Sequence, residues 1–236
     1  MAAEGPIPLA SPGSAVPPEA AGVFGGALDQ ARRYAELLAT DGVTRGLIGP
    51  RETERLWDRH LLNCAVVGEL LPEQGELVDI GSGAGLPGIV LAMLRPSLQV
   101  ILLEPLLRRS VFLEECVTEL GLSNATVVRA RAEEKAAAQI QADIATARAV
   151  APLDRLAGWA ARLLRPGGEL LAIKGQSAAE EIVAARPVLS RLGARSAEVL
   201  QAGDGRVVTA TTVVRVVMGH GREERSGAQR SRRGVA

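Results

Sequence analysis

Ten consecutive residues, Asp79 to Gly88 (DIGSGAGLPG), restrict the chemistry of this chain more than any other segment. Gly81, Gly83 and Gly85 stand at every second position, and glycine lets a backbone turn sharply and approach a ligand more closely than any side chain would allow. The apolar residues before the loop predict a buried strand, and those after it predict a helix. A strand, a glycine loop and a helix form the first unit of a nucleotide-binding sheet.

Two kinds of cofactor fit this loop. The spacing Gly83-x-Gly85-x-x-Gly88 matches the dinucleotide fingerprint, in which a helix N-terminus holds a pyrophosphate. A carboxylate at Asp79 would repel a diphosphate, whereas it can accept a hydrogen bond from an ammonium, directly or through water. S-adenosylmethionine (SAM) has an amino group and no phosphate, so the loop favours SAM. A glycine-rich turn that binds nothing is the remaining alternative.

A second acidic residue stands at the end of the next predicted strand. Glu104 follows Gly81 by 23 residues. An acid at this strand end can bind both ribose hydroxyls of a nucleoside. The spacing therefore favours a ribose ligand, and capping of the following helix is the alternative.

The remaining elements must position these acids around the loop. Helices are predicted at about 24–39, 51–71, 86–95, 106–120, 154–164 and 178–192, and strands at about 77–78, 100–103, 126–129, 144–147, 169–174, 195–201 and 209–218. Pro166, Gly167 and Gly168 predict a tight turn before the fifth strand. No helix separates the last two strands, so a hairpin must make the final strand antiparallel.

The fold class follows from this order of elements. We predict an α/β fold: a Rossmann-like seven-stranded SAM-dependent methyltransferase sheet with a terminal antiparallel hairpin and an N-terminal helical extension. A dinucleotide dehydrogenase would need a second substrate domain, for which the 236 residues leave no room. It would also need an acid or base for hydride transfer. The predicted domains are a disordered tail (1–22), one methyltransferase domain (23–220, with a helical extension at 23–73 and a SAM-binding core at 74–220) and a basic disordered tail (221–236).

Composition excludes several classes of protein. The 27 basic residues balance 27 acidic ones, so any nucleic-acid surface must be local. Cys64 and Cys116 lie far apart and the chain has two histidines, which predicts reduced thiols and no metal site. No apolar run approaches the ~18 residues of a membrane span, and no signal peptide is recognisable. We therefore expect a cytoplasmic protein with no membrane partner.

One local basic surface is predicted. Arg51, Arg55 and Arg59 recur every four residues in the second predicted helix and would share one face. This face either meets a polyanion or is solvated and pairs with Glu52 and Glu54.

Several motifs together resemble one family. WDRHLLNC (57–64), DIGSGAGLPGIVLA (79–92), LLEPLLRRSVFL (102–113), RARAEE (129–134), ARAVAPLDRL (147–156) and AIKGQ (172–176) occur in this order. Over about residues 24–218 the chain resembles the bacterial small-subunit (16S) ribosomal RNA guanine-N7 methyltransferase family, also called glucose-inhibited division protein B.

The resemblance implies a set of site residues. It implies SAM as cofactor and a cofactor site that includes Gly81, Leu86, Glu104, Ala132, Glu133 and Arg148, with Ala132 and Glu133 in contact with the adenine. The loop itself adds Asp79, Gly83 and Gly85 to this site. It implies an RNA-facing side that includes Arg59, His60 and Lys174, to which the predicted basic surface adds Arg51 and Arg55. Arg148 and Lys174 would orient the substrate.

The implied reaction is methyl transfer to N7 of a guanine in the decoding-region loop of 16S rRNA, with rRNA or the 30S subunit as partner. Separately, we expect the protein to be a monomer. Guanine N7 carries a lone pair and no proton, so no general base is expected. A SAM methyltransferase acting on a small molecule or protein is the alternative, and a non-catalytic binding protein is a third hypothesis.

Overall fold

The computed structural model describes residues 15–219, which form one α/β unit around a seven-stranded sheet. The strand order is β3-β2-β1-β4-β5-β7-β6, and only β7 runs antiparallel to its neighbours. The strands are β1 (Gly75–Ile80), β2 (Leu98–Leu103), β3 (Ala125–Val128), β4 (Ala142–Arg148), β5 (Leu164–Ile173), β6 (Ser196–Ala202) and β7 (Thr211–Val217). The predicted fold class, including the terminal hairpin of β6 and β7, is confirmed.

Helices cover both faces of the sheet, as parallel strands require. They are α1 (Glu19–Phe24), α2 (Leu28–Leu37), α3 (Asn63–Ala65), α4 (Gly88–Leu94), α5 (Leu107–Glu119), α6 (Leu153–Leu163) and α7 (Ala178–Leu192). One buried cluster joins the N-terminal helices, α4 and α5 to one face, and a second joins α6 and α7 to the other. Alternate residues of β1 enter the two clusters, because successive side chains of a strand point to opposite faces.

The N-terminal extension is helical but less regular than predicted. Gly25–Ala27, Pro50–Arg55 and Val66–Leu70 are 3-10 helix, and Leu38–Gly42 and Leu56–Leu62 are π-helix, so 51–71 is not one α-helix. The apolar residues of this segment are buried as their periodicity predicts, but apolar periodicity does not distinguish the 3-10, α and π types. The rings of Phe24 and Trp57 pack edge to face inside this extension.

The predicted tail boundary at residue 22 is too late. Helix α1 begins at Glu19, and Ala20 and Phe24 are buried on one face of it, as i and i+4 residues of a helix are. Residues 1–14 of the predicted N-terminal tail, and the whole predicted basic tail at 221–236, lie outside the described residues.

The predicted turn at Pro166–Gly168 is instead an irregularity within β5. Ala142 pairs with Leu164 and Ile144 pairs with Glu169, so β5 has three more residues than β4 between these pairs. The glycines thus bulge the strand without ending it.

Candidate functional site

The glycine loop connects β1 to α4, as predicted. Gly81, Gly83 and Gly85 have φ angles of 69°, 60° and 95°, which side chains rarely tolerate. A Cβ at Gly85 would lie 2.5 Å from Ile89 Cδ1 and 2.7 Å from Tyr34 Oη. The alternating glycines are therefore required by the backbone path as well as by close packing.

The two predicted acids hold this loop from the ends of neighbouring parallel strands. Buried Asp79 accepts a hydrogen bond from the Gly88 N–H at its Oδ2 (3.1 Å), and its Oδ1 has no hydrogen-bond partner among the described residues. Burial raises the pKa of Asp79 to about 7. Buried Glu104 accepts from the Gly83 N–H at Oε2 (2.9 Å) and from the Leu106 N–H at Oε1 (3.0 Å).

The geometry of Glu104 accommodates both the capping role and the ribose role. Leu106 immediately precedes α5, so its bond to Glu104 is the expected capping contact. Each carboxylate oxygen has two acceptor sites, so two backbone bonds leave capacity for two ribose hydroxyls.

Tyr34 is a site residue that sequence reasoning missed. Its side chain is fully buried, and its hydroxyl donates to the Ala84 carbonyl inside the glycine loop at 2.6 Å. Helix α2 thereby ties the N-terminal extension to the loop. Tyr34 is the only tyrosine of the chain, which was the one available signal.

Arg148 ends β4 and contacts two residues of the N-terminal extension. Its Nη2 lies 2.9 Å from His60 Nδ1, and its Nη1 donates to the Arg59 carbonyl at 3.3 Å. On its other side His60 Nε2 lies 3.0 Å from Glu52 Oε2. Burial, and then the nearby Arg148 cation, lower the pKa of His60. The next residue, Ala149, has a φ of 55°, an uncommon value for alanine at a strand end.

Lys174 follows β5 and is engaged within the protein. Its Nζ donates to the Ala151 carbonyl at 2.9 Å and pairs with Glu181 Oε2 at 2.7 Å. Glu181 also accepts from the Leu153 N–H at the start of α6 (3.0 Å). The lysine therefore holds the loop that follows Arg148, and its charge already has a counter-ion.

A cleft of about 1100 Å³ opens between these elements. It brings together nine of the predicted site residues: Gly81, Gly83, Leu86, Glu104, Arg55, Arg59, His60, Arg148 and Lys174. Six cationic and four acidic side chains line it, so its charge favours an anionic ligand.

Five predicted site residues do not line this cleft: Arg51, Asp79, Gly85, Ala132 and Glu133. Asp79 and Gly85 support the loop from its buried side: Asp79 accepts the Gly88 N–H, and Gly85 packs closely against Ile89 and Tyr34. Glu133 accepts a hydrogen bond from the Trp159 indole N–H, and Ala132 is buried in the core beside α6. A contact of these two residues with adenine stays a prediction.

The three arginines of the predicted basic surface do not share one face. Residues four apart align on an α-helix, but in the 3-10 helix Pro50–Arg55 they differ by about a third of a turn. Arg55 and Arg59 accordingly line the cleft and Arg51 does not. Arg59 also pairs with Glu52 at 3.2 Å, one of the pairings weighed as the alternative.

Neither a metal site nor a membrane span is found in residues 15–219. No group of three or more His, Cys, Asp or Glu side chains is placed to hold an ion within that range. No helix there is long and apolar enough to cross a membrane.

Comparison with known structures places the fold among methyltransferases. A SAM-dependent O-methyltransferase from Thermotoga maritima aligns with a TM-score of 0.54 over 69% of this chain and 66% of that one, at 16% identity. A putative SAM-dependent methyltransferase from Methanococcus maripaludis aligns with a TM-score of 0.50 over 80% of this chain and 94% of that one, also at 16% identity. At such identities the likeness concerns the fold alone.

Sequence comparison is more specific. The chain is 60% identical to ribosomal RNA small subunit methyltransferase G of Thermobifida fusca over 204 residues, 86% of either chain. It is 54% identical to the protein of that name from Streptomyces coelicolor over 230 residues, 93% of this chain and 96% of the other. The family model described as rRNA small subunit methyltransferase G matches residues 27–209. The chain therefore belongs to the rRNA small subunit methyltransferase G family.

Proposed function

We propose that this protein is a SAM-dependent methyltransferase that methylates N7 of a guanine in the decoding-region loop of 16S rRNA. Family membership, the methyltransferase fold and the cationic cleft at the glycine loop support this function. The single observation that carries it is the meeting of the loop and Glu104 with Arg55, Arg59 and Arg148 in one cleft, because it joins a nucleoside site to a surface for phosphates.

The residues around the loop fit SAM. When bound, SAM supplies an electrophilic methyl group. Glu104 would hold the ribose hydroxyls, and the glycine backbone from Gly81 to Gly85 would lie against the methionine part. The unpartnered Oδ1 of Asp79 is a buried acceptor below the same loop, which suits a cofactor with an ammonium group and disfavours a diphosphate.

The chain's own groups suit a reaction that needs no general base. His60 already receives a hydrogen bond from the Arg148 guanidinium, and Lys174 is paired with Glu181. Guanine N7 has no proton to remove, so the work left to the protein is orientation of the base. We propose that Arg148 orients the base, and that Lys174 contributes by holding the loop beside Arg148.

The RNA is proposed to approach along Arg55 and Arg59, with His60 behind them. We further propose that the protein acts in the cytoplasm as a monomer and that residues 23–220 are one methyltransferase domain. The alternative substrate class, a small molecule or a protein, would not require the arginine-lined opening of the cleft.

The substrate is tested by methylation of purified 30S subunits that lack the modification. With labelled SAM, label is expected in 16S rRNA, and nuclease mapping is expected to place it on one guanine. A double variant, Arg55→Ala with Arg59→Ala, should bind SAM normally and label rRNA at least ~10-fold more slowly. Raising the salt concentration should lower the rate of the wild type more steeply than that of the variant, because the wild type makes more phosphate contacts. Absence of label from rRNA under conditions of measurable SAM binding would contradict the proposal.

Replacing Glu104 by alanine is expected to weaken SAM binding by about 100-fold or more. The variant loses a charged acceptor for two ribose hydroxyls, and hydrogen bonds to charged groups contribute ~1.5–3 kcal/mol each. Isothermal titration with SAM measures the effect, and Glu104→Gln should fall between the variant and the wild type. Glu114→Ala, at an exposed acid of α5, serves as the matched control. A folded Glu104→Ala protein with nearly wild-type affinity would exclude the ribose role.

A further inference from the structure

A chain of three side chains connects the N-terminal extension to the end of β4. Glu52 in the 3-10 helix contacts His60 in the π-helix, and His60 contacts Arg148 at the cleft. The two contacts involve the two ring nitrogens separately, at 3.0 and 2.9 Å. His60 is buried, so both of its ring nitrogens depend on these partners.

The chemistry of the partners fixes the tautomer of His60. A guanidinium can only donate, so Nδ1 must accept from Arg148 and cannot carry a proton. The proton of the neutral ring is then on Nε2, where it is donated to the Glu52 carboxylate. An imidazolium would carry a proton on Nδ1 and would turn this contact with Arg148 into a repulsion.

We propose that Glu52 is a positioning residue, which fixes the tautomer and orientation of His60 so that His60 holds the Arg148 guanidinium in place for methyl transfer. The inference rests on the proposed function for its catalytic meaning. A carboxylate that orients an imidazole is a recurring device in enzymes, although here the ring holds a cation and transfers no proton.

The surroundings of His60 set the direction of its pH dependence. The charged groups that face it are Arg148 from β4, Glu52 from the 3-10 helix and Arg59 from its own helix. Burial and the two arginines lower the pKa of His60, and Glu52 opposes them. The contact is therefore intact above the pKa of His60, and the methylation rate should fall as the pH drops through it.

Two substitutions separate the charge of Glu52 from its hydrogen bond. Glu52→Gln retains an oxygen that can accept from Nε2–H, so its rate at pH 7.5 should stay within ~3-fold of wild type. Because the anion that favours the imidazolium is gone, the acid limb of the pH–rate profile should move to lower pH by about half a unit to one unit. Glu52→Ala removes the acceptor and should lower the rate about 10-fold at pH 7.5, with kcat affected more than the KM for SAM.

The neighbouring exposed acid provides the control. Glu54→Ala removes a carboxylate from the same 3-10 helix and should leave the rate and the acid limb unchanged. Thermal unfolding of all variants identifies any that simply fail to fold, and Glu52→Gln remains informative in that case because it preserves the hydrogen bond.

Nitrogen-15 NMR of the imidazole rings measures the protonation state of each His60 nitrogen, and so tests the contact with Arg148 independently of catalysis. The chain has two histidines, so a His220→Gln variant assigns the signals. His60 Nδ1 should show the shift of an unprotonated nitrogen at pH 7.5, and Glu52→Gln should lower the pH at which His60 titrates. A protonated His60 Nδ1 at pH 7.5 would overturn the inference. So would Glu52 variants whose methylation rate, acid limb and His60 titration all match those of Glu54→Ala. If wild-type protein failed to label rRNA while NMR showed the expected tautomer, the proposed function alone would fail.

Discussion

Replacing Gly88 by alanine is expected to lower the free energy of unfolding by about 1–3 kcal/mol and to weaken SAM binding at least ~10-fold. The new Cβ would lie 2.3 Å from Leu102 Cδ2, 2.6 Å from Asp79 Oδ2 and 3.0 Å from Asp79 Cβ. Leu102 is fully buried in the sheet and cannot turn away without displacing its neighbours. The substitution would therefore push β1, and with it the Asp79 carboxylate, away from the start of α4.

Gly88 isolates this steric effect from backbone strain. Its φ is not in the left-handed region, unlike that of Gly85, so the only obstacle to alanine is the steric clash of the added Cβ. Urea unfolding measures stability and titration measures SAM affinity. Gly158→Ala in α6 is the matched control, because nothing lies within 4 Å of its added Cβ and the helix should gain up to ~1 kcal/mol. A Gly88→Ala protein as stable and as tightly binding as Gly158→Ala would show that the loop is not closely packed.

Local patterns predicted the parts of the site that local spacing determines. Asp79, the three glycines and Glu104 lie at strand ends whose position follows from apolar runs and loop residues, so the sequence could assign them. The terminal hairpin was predictable for the same reason, since the segment between β6 and β7 is too short for a crossover helix.

Contacts between distant segments could not be assigned from such patterns. Tyr34 and Ala84 are 50 residues apart, and nothing in the spacing of either points to the other. The sequence predicts Lys174 on the RNA-facing side, but its partner Glu181 lies on α7, and their contact depends on how α7 packs against α6 and β7. Likewise Glu133 was assigned to adenine from a motif, and its bond to Trp159 depends on how α6 packs.

Irregular helix geometry explains the one error on the basic surface. A four-residue repeat of arginine predicts a shared face only if the helix has 3.6 residues per turn. The helix changes from 3-10 to π at Leu56, so the angle between residues four apart differs from the α-helical value both before and after Leu56. Apolar periodicity does not report such changes.

Asp79 should make stability depend on pH in the direction opposite to that of a salt-bridged carboxylate. Burial raises its pKa from 3.8 to about 7, so between these values the native state binds more protons than the unfolded chain. The contribution of Asp79 to the free energy of unfolding is therefore greatest below pH 3.8, and it falls as the pH rises towards 7. The shift corresponds to about 4 kcal/mol across this window.

Asp79→Asn tests this linkage because the amide is neutral at every pH. Its oxygen can keep the bond from the Gly88 N–H, and its NH₂ takes the place of the unpartnered Oδ1. We expect the variant to match the wild type near pH 4 and to exceed it by several kcal/mol at pH 8, in urea unfolding measured across the range. Asp41→Asn, at an exposed carboxylate, should run parallel to the wild type. A constant offset between Asp79→Asn and wild type would mean that the carboxylate is charged throughout, and that a cation or water reaches Oδ1 even without cofactor.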